Sequence, residues 1–322
     1  MLAGSFEVGA SRATPGDIMA AITYTTQLLN GILSLVMLFQ SISRGIASWK
    51  RVKEVLCSAP QIKNGGFSGT TEAHGQIEFR NVSFAYPGCN QTVLKNINLT
   101  IRPGKTVAIM GTTGCGKSSL VNLIPRFYDV TEGTVLVDGV DVREYDPKAL
   151  QEKIAIALQK SELFSISIGE NISWGAPKAG REAIEHAAKV AQADGFICAS
   201  ADRYDTMVAE RGTSLSGGQK QRISIARAVI KDAEILIFDD STSALDLKTE
   251  ADLYAALREA NPNRTKIIIA QRIASVRRAD RIVVLENGSI TSCGTHEELM
   301  ECCKTYRDIY DSQMGEDGEN HG

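Results

Sequence analysis

Cysteine pairing motifs are missing from this chain. Its seven cysteines (Cys57, Cys89, Cys115, Cys198, Cys293, Cys302 and Cys303) contain no CxxC pair, and only Cys302 and Cys303 are neighbours. An odd number at irregular spacing excludes a disulfide framework or a cysteine-spaced zinc site and points to thiols in a reducing compartment. Proline is scarce at 8 of 322 residues, and with 28 Gly, 43% hydrophobic and 23% charged residues the chain is not disordered, collagen-like or of low complexity. An excess of positive charge is lacking too: 35 Lys+Arg against 38 Asp+Glu leave a net charge of -3. That excludes bulk electrostatic attraction to nucleic acid. The opening residues, MLAGSFEVGASRATPGD, hold no basic stretch followed by an apolar core, so they do not form a secretory signal peptide. Mean hydropathy is -0.09, the value of an ordinary soluble protein, although an average hides a single apolar segment.

Charge is absent altogether from Ile18 to Ser43. As a helix these 26 residues reach about 39 Å, more than the ~30 Å core of a bilayer. Thr23, Thr25, Thr26, Gln27, Asn30 and Gln40 interrupt the run, as uncharged polar residues do in membrane helices that pack on other helices. Arg44, Lys50, Arg51 and Lys53 follow it, whereas Glu7, Arg12 and Asp17 precede it without a basic excess. The positive-inside rule places the C-terminal flank in the cytoplasm. Helical character continues from Ser41 to Leu56, and the Gly-, Ser- and Thr-rich residues 58–75 read as a linker. Beyond it, QIEFRNVSFAY, VLKNINLTI, KTVAIM, EILIFDD, TKIIIA and RIVVLENGSI read as strands. Helical patterns fall at 118–124, 146–154, 180–193, 217–231 and 248–260. The alternation predicts an α/β domain with a largely parallel sheet, and the early run of strands predicts an antiparallel subdomain before it.

GTTGCGKS at 111–118 fits G-x-x-x-x-G-K-[ST], after the strand ending at Met110 and before a helical run. Gly111, Gly114 and Gly116 let backbone N–H groups curl towards an anion at a helix start. Lys117 reaches β- and γ-phosphates, and the Ser118 hydroxyl ligates Mg²⁺. EILIFDD supplies the partner carboxylate, Asp239, at the end of an apolar strand.

LSGGQ at 215–219, followed by KQRISIARAVI, resembles the signature of ATP-binding cassette (ABC) ATPases, and it lies between the phosphate loop and the acidic strand in the family's order. The likeness extends over about 76–310, through Tyr86 in VSFAYPG, Gln159 in IALQK, Glu210-Arg211-Gly212 and SALD at 243–246. It implies an α/β P-loop nucleotide-binding domain of ABC type, with antiparallel β and helical subdomains, preceded by one long transmembrane helix. Residues 1–57 then form a membrane-domain remnant, 58–75 a linker, 76–312 the ATP-binding domain and 313–322 an acidic tail, whose composition over 315–322 reads as disordered. Such a domain binds ATP and Mg²⁺ at a cytoplasmic face of the cell membrane. By the resemblance, Tyr86 stacks on adenine, and 111–119 (Gly111, Thr112, Thr113, Gly114, Cys115, Gly116, Lys117, Ser118, Ser119) hold the phosphates. Ser118, Gln159 and Asp239 hold the metal. Ser216, Gly217, Gly218 and Gln219 meet a γ-phosphate bound by the other cassette of a head-to-tail pair.

Two positions depart from the family pattern. The catalytic carboxylate, usually Glu, is Asp240, and the switch residue, usually His, is Gln271. Asp is one methylene short, and Gln carries no positive charge. Both changes weaken hydrolysis and leave binding residues in place, which implies a degenerate ATP site. The intact signature implies a second half-transporter, with Glu and His at these positions, as partner in an exporter of drugs, lipids or peptides. A soluble ABC-type ATPase is the alternative, and the charge-free run argues against it. An importer cassette or a purely regulatory subunit fits less well with a fused helix and an intact signature. An exporter half carries six membrane helices, so the length suggests a chain lacking five of them.

Overall fold

The computed structural model describes residues 14–319, apart from 60, 61, 70, 90 and 161; Glu7, Arg12 and residues 320–322 therefore lie outside the described residues. Contacts divide the chain into two compact units, Met1–Gln61 and Ile62–Gly322. The first is a single helix, Pro15–Leu56. Thr14 caps it: the Thr14 hydroxyl accepts from the Asp17 N–H, the Asp17 carboxylate accepts from the Thr14 N–H, and Pro15 occupies the first turn. The helix is long and apolar enough to cross a membrane, by length and composition. Its hydroxyls are satisfied within the helix, since Thr23, Thr25, Thr26 and Ser34 each donate to the carbonyl four residues earlier at 2.7–2.9 Å. None of its residues is buried.

The second unit is built on two sheets. Strands β1 (Ile77–Ala85), β2 (Thr92–Ile101), β4 (Glu132–Val137) and β5 (Val140–Asp141) form an antiparallel sheet in the order β2-β1-β4-β5. Strands β3 (Thr106–Met110), β6 (Ile154–Ala157), β7 (Ile235–Asp239), β8 (Thr265–Ile269), β9 (Arg281–Glu286) and β10 (Ser289–Gly294) form the other, in the order β10-β9-β3-β8-β7-β6. All its pairings are parallel except β9 with β10. Its central strands are apolar on both faces because each face meets its own core. Val107, Ile109, Ile235, Ile237, Ile267 and Ile269 pack with the antiparallel sheet. Ala108, Met110, Leu236, Phe238 and Ile268 pack with the helices.

Three sequence expectations change. RIVVLENGSI is not one strand but the β9–β10 hairpin, turned at Asn287 (φ 47°) and Gly288 (φ 83°). Two successive left-handed residues are what a tight two-residue hairpin requires. The stretch read as a linker is partly docked. Phe67 donates to the Glu144 carbonyl at 2.9 Å and accepts from the Asp146 N–H at 2.8 Å, and its ring meets Tyr145 edge-on. Residues 315–319 of the segment read as disordered continue the helix Lys304–Glu319. That helix has a seat near its start, the fully buried Tyr306, and such tertiary packing supplies most of a helix's stability. Strands β4, β5 and β6 and the short helices Ile168–Ser173, Asp194–Cys198, Ile273–Val276 and His296–Cys302 are also present without having been expected.

Candidate active site

The residues singled out in the phosphate loop run from the end of β3 into the first turn of the helix Lys117–Asn122. Gly111 (φ 147°) lies against the Leu285 carbonyl with no room for a Cβ, and a Cβ on Gly116 (φ 105°) would come within 2.8 Å of Leu94. The loop is thus held by contacts behind it while Gly114 (φ 82°) faces open space. The Lys117 ammonium folds over the loop and donates to the carbonyls of Gly111 at 2.8 Å and Thr112 at 2.9 Å. Cys115 is buried beneath it, its Sγ 3.9 Å from Lys117 Nζ.

Parallel strands bring the other groups to the same edge. β7 ends at Asp239, whose Oδ1 accepts from the Ser118 hydroxyl at 2.9 Å. Burial pushes the Asp239 carboxyl above its usual range, against the Ser118 hydrogen bond and the charge of Lys117. Asp240 follows in the left-handed conformation (φ 47°), with its N–H on the Ile269 carbonyl at 3.0 Å. The turn aims its side chain into the cleft, where Oδ2 accepts from Gln159 Nε2 at 3.1 Å and from Gln271 Nε2 at 3.0 Å. Burial raises the Asp240 carboxyl too, opposed by the Gln271 hydrogen bond, the Lys117 charge and the Gln159 hydrogen bond.

Tyr86 closes the far end. Its ring stands edge-on to Phe84 at 4.9 Å and Tyr128 at 5.1 Å, and its hydroxyl shares a hydrogen bond with Ser119 Oγ at 2.8 Å. The resulting cleft of about 650 Å³ runs from Tyr86 past the phosphate loop, including Thr112 and Thr113, to Asp239, Asp240 and Gln271. These residues fit a nucleoside triphosphate with a hard divalent cation. The loop cradle has no side chain where a phosphate approaches Gly114, and the paired Ser118 and Asp239 oxygens are the donor type Mg²⁺ prefers. Gln159 also lines this cleft, with its amide nitrogen turned to Asp240.

Ser216, Gly217, Gly218 and Gln219 do not line that cleft. They open the helix Gly217–Val229, with Ser216 at its N-cap. The Ser216 hydroxyl accepts from the Gln219 N–H at 3.3 Å, and the Gln219 side-chain oxygen accepts from the Ser216 N–H at 2.9 Å. This is a capping box.

Two connecting residues were missed from the sequence. The buried Gln221 donates to Ser243 Oγ at 3.1 Å and accepts from the Ala244 N–H at 3.0 Å, joining the helix Gly217–Val229 to the SALD segment. Arg272 donates to the Leu245 carbonyl at 2.7 Å from the other side. Neither has a local signature, because each acts across more than twenty residues of sequence. Lys95 and Asn287 also line the cleft. The Asn-Gly dipeptide at 287–288 was the available signal for that hairpin.

Residues 94–243 match the ABC transporter family model. The chain is 41% identical over 317 residues to the ATP-dependent lipid A-core flippase of Escherichia coli (strain K12), covering 98% of this chain and 54% of that protein. It is also 41% identical over 301 residues to YgaD of Bacillus subtilis (strain 168), named as a candidate multidrug export ATP-binding/permease protein, covering 93% of this chain and 52% of that one. Among solved structures, a bacterial Atm1-family ABC exporter with ATP bound matches with a TM-score of 0.80 and 34% identity, covering 95% of this chain and 55% of that one. The chain thus spans about half the length of the relatives it matches.

Proposed function

Because the chain carries an ABC transporter ATP-binding domain, we propose that it is the ATP-binding part of a membrane exporter, with a nucleotide site of its own that binds ATP and hydrolyses it slowly. Tyr86 stacks on the base, Lys117 and the 111–119 loop hold the phosphates, and Ser118, Gln159 and Asp239 surround the metal. Mg²⁺, when bound there, neutralises charge on the β- and γ-phosphates. Residues 18–43 of the helix Pro15–Leu56 form the membrane span, the basic residues after Ser43 mark a cytoplasmic extension, and this argues against a soluble ATPase. The cargo is a drug, lipid or peptide; one relative is named for lipid A-core and another for multidrug export.

The observation that carries the slow-site reading is the double amide contact to Asp240. A short carboxylate is held between two neutral side chains, where a longer carboxylate and an ionisable imidazole serve family members with full activity. The missing methylene withdraws the carboxylate by about 1.5 Å. A displacement of about 1 Å costs on the order of 10²-fold in rate. Ser216–Gln219, lying away from this chain's own cleft, complete the site of a second half-transporter, which supplies Glu and His at the equivalent positions. The domain arrangement follows: 1–57 from the membrane part, 58–75 connecting, 76–312 binding ATP.

The test is steady-state ATPase activity of the chain assembled with its partner. The double substitution Asp240→Glu/Gln271→His is expected to raise turnover, and Lys117→Ala to lower it less than the matching lysine change in the partner. No gain from the double substitution sinks the geometric argument. A Lys117→Ala loss as large as the partner's sinks the asymmetric assignment.

A further inference from the structure

We propose that Gln313, on the C-terminal helix, is a positioning residue for Gln271 and so sets how the nucleotide cleft receives a γ-phosphate. The inference rests on reading Gln271 as the switch residue. The short helix Ile273–Val276 begins just after Gln271, and its N-cap residue, Arg272, makes no side-chain cap. The first N–H of that helix therefore needs an acceptor from elsewhere. Gln313 supplies it: Oε1 accepts from the Ile273 N–H at 2.8 Å, while Nε2 donates to the Gln271 carbonyl at 2.7 Å. One planar amide thus grips the backbone on both sides of Arg272. The Gln271 carbonyl is fixed by one end of that grip, and the Gln271 side chain leaves the same residue to meet Asp240 at 3.0 Å.

The grip is anchored. Gln313 lies seven residues after Tyr306, two helical turns along the same face. Tyr306 is fully buried and its hydroxyl shares a hydrogen bond with His296 Nδ1 at 2.8 Å. Tyr310, between them on that face, lines with Gln313 a cavity of about 500 Å³ whose other walls include Asp240 and Gln271. The chemistry of the grip is specific to an amide, since it accepts and donates at once. Glutamate accepts from Ile273 but sets an oxygen against the Gln271 carbonyl. Alanine does neither.

The experiment uses the full chain in detergent. Amide hydrogen exchange is followed over 270–277, and Mg²⁺-dependent affinities for a non-hydrolysable ATP analogue and for ADP are measured by calorimetry. Gln313→Ala is expected to speed exchange at Ile273 and to weaken the ATP analogue about three- to tenfold, the scale of one or two neutral hydrogen bonds, with ADP unchanged. Gln313→Glu keeps Ile273 protected and still weakens the ATP analogue, which covers the case in which the alanine variant fails to fold. In a Gln271→Ala background, Gln313→Ala should no longer alter the ratio of ATP-analogue to ADP affinity. Unchanged exchange, equal loss of both nucleotides, or an undiminished effect without the Gln271 side chain overturns the proposal. If Gln271→Ala alone leaves the ratio unaltered, the switch assignment itself fails and the proposal falls with it, a pattern distinct from the others.

Discussion

Asp138→Asn is a clean perturbation of the node that holds the chain just before β1 onto the ATP-binding domain. The Asp138 carboxylate is fully buried. Its Oδ1 accepts from the N–H groups of Gly75 at 2.7 Å and Gln76 at 2.8 Å, and its Oδ2 from Lys153 Nζ at 2.8 Å. Lys153 reaches Glu234 as well, at 2.8 Å. Burial opposes the charge on Lys153, yet its hydrogen bonds to the two carboxylates outweigh this and hold its pKa above the ordinary lysine value. Asp138 also sits in the left-handed conformation (φ 52°) before Gly139 (φ 83°), in the turn between β4 and β5. Asparagine keeps that Asx-Gly turn and the Oδ1 acceptor, and replaces the charged oxygen that accepts from Lys153 at 2.8 Å and from the Thr71 hydroxyl at 3.4 Å with an amide donor. Breaking a buried ion pair costs about 3–5 kcal/mol. The Glu234 partner that remains places Asp138→Asn near about 3 kcal/mol, which at a urea dependence of ~3 kcal/mol/M lowers the midpoint by about 1 M. Asp138→Ala adds left-handed strain of about 1–2 kcal/mol. Urea unfolding followed by near-ultraviolet circular dichroism reads these shifts. The reasoning is refuted if Asp138→Asn moves the midpoint by less than about 0.2 M, or if it costs as much in a Lys153→Met background as in the wild type.

The raised carboxyls of Asp239 and Asp240 predict a pH dependence. A carboxyl whose folded pKa is raised keeps its proton where the unfolded chain has lost it, so its contribution to stability falls as pH rises between the two values. A divalent cation favours the ionised form, so Mn²⁺ affinity should climb as pH rises through the raised values and then level off. Calorimetry across that range checks this, and Asp239→Asn should flatten most of the curve. Ser216→Ala removes the cap of the Gly217–Val229 helix and should cost about 1 kcal/mol, with Ser216→Asp near neutral, as read by thermal unfolding.

The strongest sequence signals were local ones. The 111–118 loop and the apolar β7 strand each depend on residues a few positions apart, and the structure contains that loop and that strand. The 287–288 turn was legible but overlooked, because the apolar residues on either side of Asn-Gly read as one run. What was not legible is tertiary. Gln313 acts on a backbone 40 residues away, and the Tyr306 seat that keeps the last helix formed has no periodic apolar stripe to announce it. The two amides that meet at Asp240 come from residues 159 and 271, and only strand order makes them neighbours.

Strands β3, β7 and β8 lend alternate residues to two separate cores. In folding terms, this couples the halves of the domain. Melting the helical side strips one face of the same strands whose other face supports the antiparallel sheet, so the halves share one cooperative transition. The pairings involved join segments about 160 residues apart, such as Thr106 with Lys266, and pairings that distant form slowly. The phosphate loop hangs from the end of β3. Its shape therefore depends on the distant pairings of β3 with β8 and β9, and nucleotide binding reports that they have formed.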